Sequence, residues 1–299
     1  MLYLSLWVNV MVYLILAALS SAVLTLVLRV FRDTEGNRFG LLLGNYVTCM
    51  VIAFVQMPEK GQLGAVSGGT LLMSGIGGFL FVAGLVLMQS SVARNGATLT
   101  SAFSKLGLIV PLLISFLAFH EVPSVPKLAG LGLAIAAILL INFGAGDHKE
   151  APGASAERRG GLALLLLTLL AVGCSESMAK IFSRLGDPRE DTCYLFFLFL
   201  TASVLTFLLA VGEKRRSGKS LRIRELAAGI LAGIPNYFSS YFLLRALTDL
   251  PATLVYPVFS AGTLLLVTAA GTLFFREKLS RWQLCGLILI LAALVLLNL

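Results

Sequence analysis

The sequence predicts an all-α integral membrane protein: ten transmembrane helices forming two inverted five-helix repeats around a central cavity. Three observations predict it. Of the 299 residues 58% are hydrophobic and 13% charged, with mean hydropathy +0.93, whereas a soluble domain carries about 45–50% apolar and 25% charged residues. Charges and turn-formers cut the chain into ten apolar segments, each near the length needed to cross an apolar core of about 30 Å at about 1.5 Å per residue. A stretch of the first half also recurs, in register, in the second.

The segments run 6–28, 39–57, 70–89, 97–119, 125–143, 161–183, 192–211, 226–244, 252–275 and 282–299. The first lacks a basic n-region and is longer than the roughly 7–15 residues of a signal-peptide core, so it is read as a helix, with Met11 an alternative start. The second carries Asn45 and Tyr46, the fourth Lys105 and Pro111. Ser124 can cap the fifth, with Pro126 in a first turn where a missing N–H is harmless. Glu176 and Lys180 lie in the sixth, Pro235, Asn236 and Tyr237 in the eighth, Tyr256 and Pro257 in the ninth. Ser280 and Gln283 have capping-box spacing at the tenth. Gly130, Gly132 and Gly286 are expected to let helices approach closely. The longest connections, 144–160 and 212–224, are polar tethers too short for a soluble catalytic or nucleic-acid-binding module. Cys49, Cys174, Cys193 and Cys285 fall in or beside spans without a CxxC pair and read as packing residues.

The recurring stretch starts at Glu121 and Glu277, an offset of 156, and keeps Ser124/Ser280, Gly130/Gly286 and Asn142/Asn298 in register. Ala97-Thr98-Leu99 matches Ala252-Thr253-Leu254 at 155, and Ser20 falls opposite Ser175 at the same offset. The halves are therefore 1–146 and 161–299, joined by a polar linker at 147–160. Five spans per repeat is an odd number, so the second copy enters the membrane from the opposite side. Inverted repeats of this kind characterise alternating-access transporters, whose substrate sites lie near the midplane between repeats.

Ten spans in two halves, with Glu121 and Glu277 ending the fourth and ninth and Ser, Leu and Gly following on the next helix, resemble the EamA-like branch of the drug/metabolite transporter superfamily. The resemblance covers essentially the whole chain. It implies a basket of ten helices around a central cavity, moving small organic solutes by alternating access without ATP hydrolysis and without a cofactor. Such proteins handle amino acids, amines, drugs, nucleotide sugars and other metabolites, so the resemblance does not choose a substrate. His120 stands where this pattern often has glycine before the Glu.

Three strongly charged residues lie away from span ends: Lys105, Glu176 and Lys180. A charge in a membrane span costs at least about 2.5–3.5 kcal/mol, so each calls for a partner or a function. Glu176 and Lys180 share a helical face at i and i+4 and can neutralise each other, or Lys180 can snorkel to the interface. Glu176 lies too deep for its short side chain to reach bulk water. Lys105 has no counterpart in the second half, where Ser260 takes its place. The expected substrate-binding set is Glu176, Lys180, Lys105, Asn236, Tyr237, Tyr256, Asn45, Tyr46 and Ser20. Pro111, Pro235 and Pro257 free backbone carbonyls inside spans and are candidate hinges.

An enzyme is not expected. His120-Glu121-Val122-Pro123-Ser124 lacks the second histidine of HExxH, His148 lies in the tether, and neither histidine supports a Ser–His arrangement or a metal site at membrane depth. The partners expected are the bilayer and a small-molecule substrate, with protons as a further candidate ligand and no nucleic acid. An amine-bearing or zwitterionic substrate, or a cationic drug, ranks first; anionic or nucleotide-linked metabolites rank second, and a non-transporting sensor or scaffold is the third reading. Connections after odd-numbered spans carry sixteen Lys or Arg, against five on the other face: Lys60, Lys127, Arg184, Arg189 and Arg245. The positive-inside rule then puts both termini on the extracytoplasmic side of a plasma membrane.

Overall fold

The computed structural model describes residues 2–31, 36–37, 39–57, 63–95, 97–121, 124–144, 155–275 and 281–297. Among them the regular elements are all helical: α1 (Leu2–Val30), α2 (Gly40–Gln56), α3 (Gly68–Asn95), α4 (Ala97–Leu106), α5 (Ile109–Phe119), α6 (Val125–Gly144), α7 (Ser155–Leu185), α8 (Asp191–Ser217), α9 (Ile223–Asp249), α10 (Ala252–Phe275) and α11 (Arg281–Leu297). A 3₁₀ turn, Pro188–Glu190, joins α7 to α8. α4 and α5 are two halves of the expected fourth span, so among the described residues there is one helical segment for each of the ten expected spans.

Large apolar side chains are exposed along many helices, and several polar ones are buried. Ile15, Leu72, Leu117, Phe207 and Phe274 are exposed, while Thr70, Ser74, Ser115, Thr168 and Lys180 are buried. Apolar side chains facing outward on many helices, with polar ones turned inward, suit lipid as the surrounding solvent. Met11–Leu28, Gly68–Val92, Gly161–Leu185, Pro188–Ser217 and Ala252–Phe274 are each long and apolar enough to cross a membrane, and Gly40–Gln56, Phe103–Phe119, Val125–Leu140 and Leu284–Ala293 are shorter apolar helices. α9 is the exception: it holds Asn236, Tyr237, Ser239 and Tyr241, and lies against α1 and α2.

The chain divides into two compact units, Met1–Val82 with Met178–Asp249, and Ala83–Ser177 with Leu250–Leu299. Each unit thus draws on both halves of the sequence. In the first, α2 and α9 meet backbone to backbone: a Cβ added at Gly44 would lie 2.5 Å from the Leu226 carbonyl oxygen, and one at Gly229 would strike that of Leu41. Phe182 stacks on Tyr194 at 4.1 Å, and Tyr46 packs between Phe81 and Phe199. In the second unit α6 runs along α11, with Ala134, Ala137, Ile290 and Ala293 fully buried. Gly132 has open space around it, so the close approach expected there is not made.

The corner after α5 bears on the repeated motif. His120 is left-handed, at φ 53° and ψ 30°, and its N–H donates to the Ser115 carbonyl. The Glu121 carboxylate accepts from the Ser115 hydroxyl and, at 2.9 Å, from the N–H of Ala252, the first residue of α10. A negative charge at a helix N-terminus is stabilising. α6 starts just after Ser124, whose carbonyl accepts from Leu128 at 2.9 Å. The matching corner at Glu277 and Ser280 lies outside the described residues.

Candidate functional site

The fourth span breaks because two residues cannot continue it. Pro111 has no N–H to offer the Gly107 carbonyl, which accepts from Val110 at 2.9 Å instead. One turn earlier Gly107 donates to Ser104 at 3.1 Å, so the chain tightens between α4 and α5. This break lies against α7: a Cβ on Gly173 would fall 2.5 Å from the Gly107 carbonyl oxygen.

That backbone contact carries two charges with it. Lys105 lies two residues before Gly107, and Glu176 three after Gly173. The Lys105 ammonium is within coulombic range of the Glu176 carboxyl; Lys105 is exposed and Glu176 half-buried. Tyr256, fully buried on α10, donates its hydroxyl to the Glu176 carbonyl oxygen at 2.7 Å. Three expected site residues therefore come together in the second unit, beside Pro111 and Pro257. Pro257 leaves α10 continuous, as Pro235 leaves α9.

The other expected residues belong to the first unit. Asn236 Nδ2 donates to Asn45 Oδ1 at 2.8 Å, and the Cys49 thiol donates to the same oxygen at 3.4 Å and to the Gly233 carbonyl at 3.2 Å. This buried network joins α2 to α9. The Tyr237 hydroxyl donates to Gln56 at 2.9 Å. Tyr46 is enclosed by aromatic rings, its hydroxyl without a hydrogen-bond partner among the described residues. Ser20 is half-buried on α1. Lys180 is wholly buried, so it does not snorkel.

Three features escaped the sequence reading. Arg245, counted there as a connection residue, lies inside α9 with its Nε 3.3 Å from Asp191 Oδ2 and its guanidinium 5.4 Å from the Tyr241 ring centre. Glu190 accepts from the Ser67 N–H at 2.9 Å and hydroxyl at 2.8 Å, at the start of α3. Glu225 is buried against Gly36 and Gly40 where α2 begins. Arg245, Asp191 and Glu225 each fall one residue outside an expected span, because an apolar segment ends in the sequence at its first charge.

Comparison with known proteins agrees with this architecture. Residues 159–299 match the EamA-like transporter family. The resemblance read from the repeated corner is thus found independently in the C-terminal part. An uncharacterised protein of Haemophilus influenzae is 25% identical over 289 residues, covering 94% of this chain and 95% of that one. The multidrug resistance protein EbrA of Bacillus licheniformis is 27% identical over 104 residues, 33% of this chain and 99% of its own. A solved crystal structure with 15% identity superposes with a TM-score of 0.76 over 96% of both chains, which shows a shared fold. The EamA-like match and the apolar helices support a multi-pass membrane protein.

Proposed function

We propose that the chain is a secondary transporter that moves an amine-bearing or zwitterionic metabolite, or a cationic drug, by alternating access. The observation that carries this reading is the Lys105–Glu176–Tyr256 cluster beside the broken fourth span. Opposite charges inside a membrane protein, next to a discontinuous helix, are what a solute with an ammonium and a carboxylate requires. Glu176 takes the ammonium or a proton, and Lys105, exposed, takes an anionic group. The likeness to a multidrug resistance protein supports the drug form of this reading. The exposure of Lys105 favours, as second reading, an anionic or nucleotide-linked metabolite. Asn45 and Asn236 join helices within the first unit, where Tyr46, Tyr237, Lys180 and Ser20 also lie and remain proposed substrate contacts. The two halves, 1–146 and 161–299, act as inverted repeats, with Pro111, Pro235 and Pro257 as the bends that move.

The test is flux into proteoliposomes over a panel of amines, amino acids and anions. Glu176→Gln should remain folded and lose transport at least about tenfold, and Glu176→Gln with Lys180→Met should stay inactive. Full flux in the folded double variant would mean that the carboxylate serves only to neutralise Lys180.

A further inference from the structure

On the membrane-facing side of the first unit, α2, α8 and α9 enclose a groove of about 760 Å³. Its wall is apolar, because its polar residues are satisfied within their own helices: Thr48 donates to the Gly44 carbonyl at 2.8 Å and Ser203 to that of Phe199 at 2.7 Å. Along α2 it runs from Leu43 to Ile52, about 14 Å by helix rise, which is the depth of one leaflet of an apolar core about 30 Å thick. Val204, Phe207 and Ile230 line it and are about half exposed, so it opens outward to lipid.

One end of the groove meets the most basic part of the chain. The last turn of α8, the connection and the first turn of α9 together hold Lys214, Arg215, Arg216, Lys219, Arg222 and Arg224, all exposed. Among the described residues, the neighbouring acid Glu225 is turned inward and Glu213 is half-buried. Asn37, just before α2, donates to the Ala210 carbonyl at 2.8 Å and to that of Lys219 at 3.3 Å, which fixes the basic connection over the α2 end of the groove. Arg224 precedes the groove residue Leu226 by two positions. An apolar slot about one leaflet deep, with cations near the end where α2 and α9 begin, complements a molecule with an acyl tail and an anionic head.

We propose that this groove holds an acyl chain of an anionic phospholipid whose phosphate sits on the basic α8–α9 connection. Juxtamembrane clusters of this size attract acidic lipids, and each cation adds to the attraction. The site does not depend on which solute the chain transports.

Native mass spectrometry of the full chain in detergent, with equal phosphatidylglycerol and phosphatidylcholine of identical acyl chains, tests it. The protein should retain phosphatidylglycerol with a preference of about tenfold or more. The triple change Lys214→Gln, Arg215→Gln, Arg216→Gln should remove most of that preference. Val204→Trp or Ile230→Trp, which fill the groove without altering charge, should lower phosphatidylglycerol retention in protein whose elution profile is unchanged. Equal retention of the two lipids by the unaltered chain overturns the proposal. Undiminished retention in both tryptophan variants overturns the placement of the acyl chain in the groove.

Discussion

His120 holds a left-handed backbone that costs a residue with a Cβ about 1–2 kcal/mol. What it secures is the aim of Glu121, whose carboxylate serves the Ser115 hydroxyl and the first N–H of α10. Adjacent residues should therefore respond with opposite signs. His120→Gly removes the strain and should raise stability by roughly 1 kcal/mol, whereas Glu121→Ala, losing a carboxylate cap, should lower it by about 1–2 kcal/mol. Thermal unfolding in detergent reads both, and a lower midpoint for His120→Gly would contradict the strain argument. Lys105 and Glu176 were legible in the sequence because an ionisable group in an apolar run has no cheap explanation. The partners of Glu121 were not, because Ala252 is far away in sequence and only tertiary folding brings it to the corner. The Arg245–Asp191 pair was hidden for a different reason: hydropathy alone cannot tell a charge just past a span from one just inside it.

Helices were the most legible level, since the apolar segments and the α-helices coincide to within a few residues except where charges blur their ends. The break in the fourth span was legible in Pro111, but only in part. Pro235 and Pro257 carry the same missing N–H and leave their helices continuous. Gly107 distinguishes the fourth span, by permitting the backbone contact with Gly173. Two glycine substitutions separate contact from propensity. A Cβ at Gly107 would meet the backbone of Ser104 at 2.8 Å and of Leu169 and Gly173 at 3.2 Å, and helix backbone cannot swing aside as a side chain can. Gly107→Ala should cost about 1–3 kcal/mol and reduce flux. Gly132→Ala, in a helix with nothing within 4 Å, should be neutral or stabilise by up to about 1 kcal/mol. Equal midpoints for the two variants would show that the Gly107–Gly173 contact does not govern the break.

At the scale of the whole molecule, the sequence repeat divides the chain at its middle, while the compact units cut through α3 and α7 and take spans from both halves. Covalent order cannot reveal that exchange, because it depends on which helices meet after each half has entered the membrane. Orientation, by contrast, is predicted from charge alone. Sixteen basic residues lie on one set of connections and five on the other, and one of those five, Arg245, lies within α9 beside Asp191. The asymmetry predicts that the α8–α9 connection faces the cytoplasm and, with ten spans, that both termini face outward. Two cysteines at opposite ends of α9 test this in one helix, in a background where the four native cysteines are replaced. Ser220 suits the basic end better than Gly218, whose φ of 72° would strain any side chain; exposed Asp249 marks the other end. In intact cells an impermeant maleimide should label Asp249→Cys and reach Ser220→Cys only after permeabilisation. The reverse pattern would put the basic connections outside, and some force other than the charge bias would then have to set the topology.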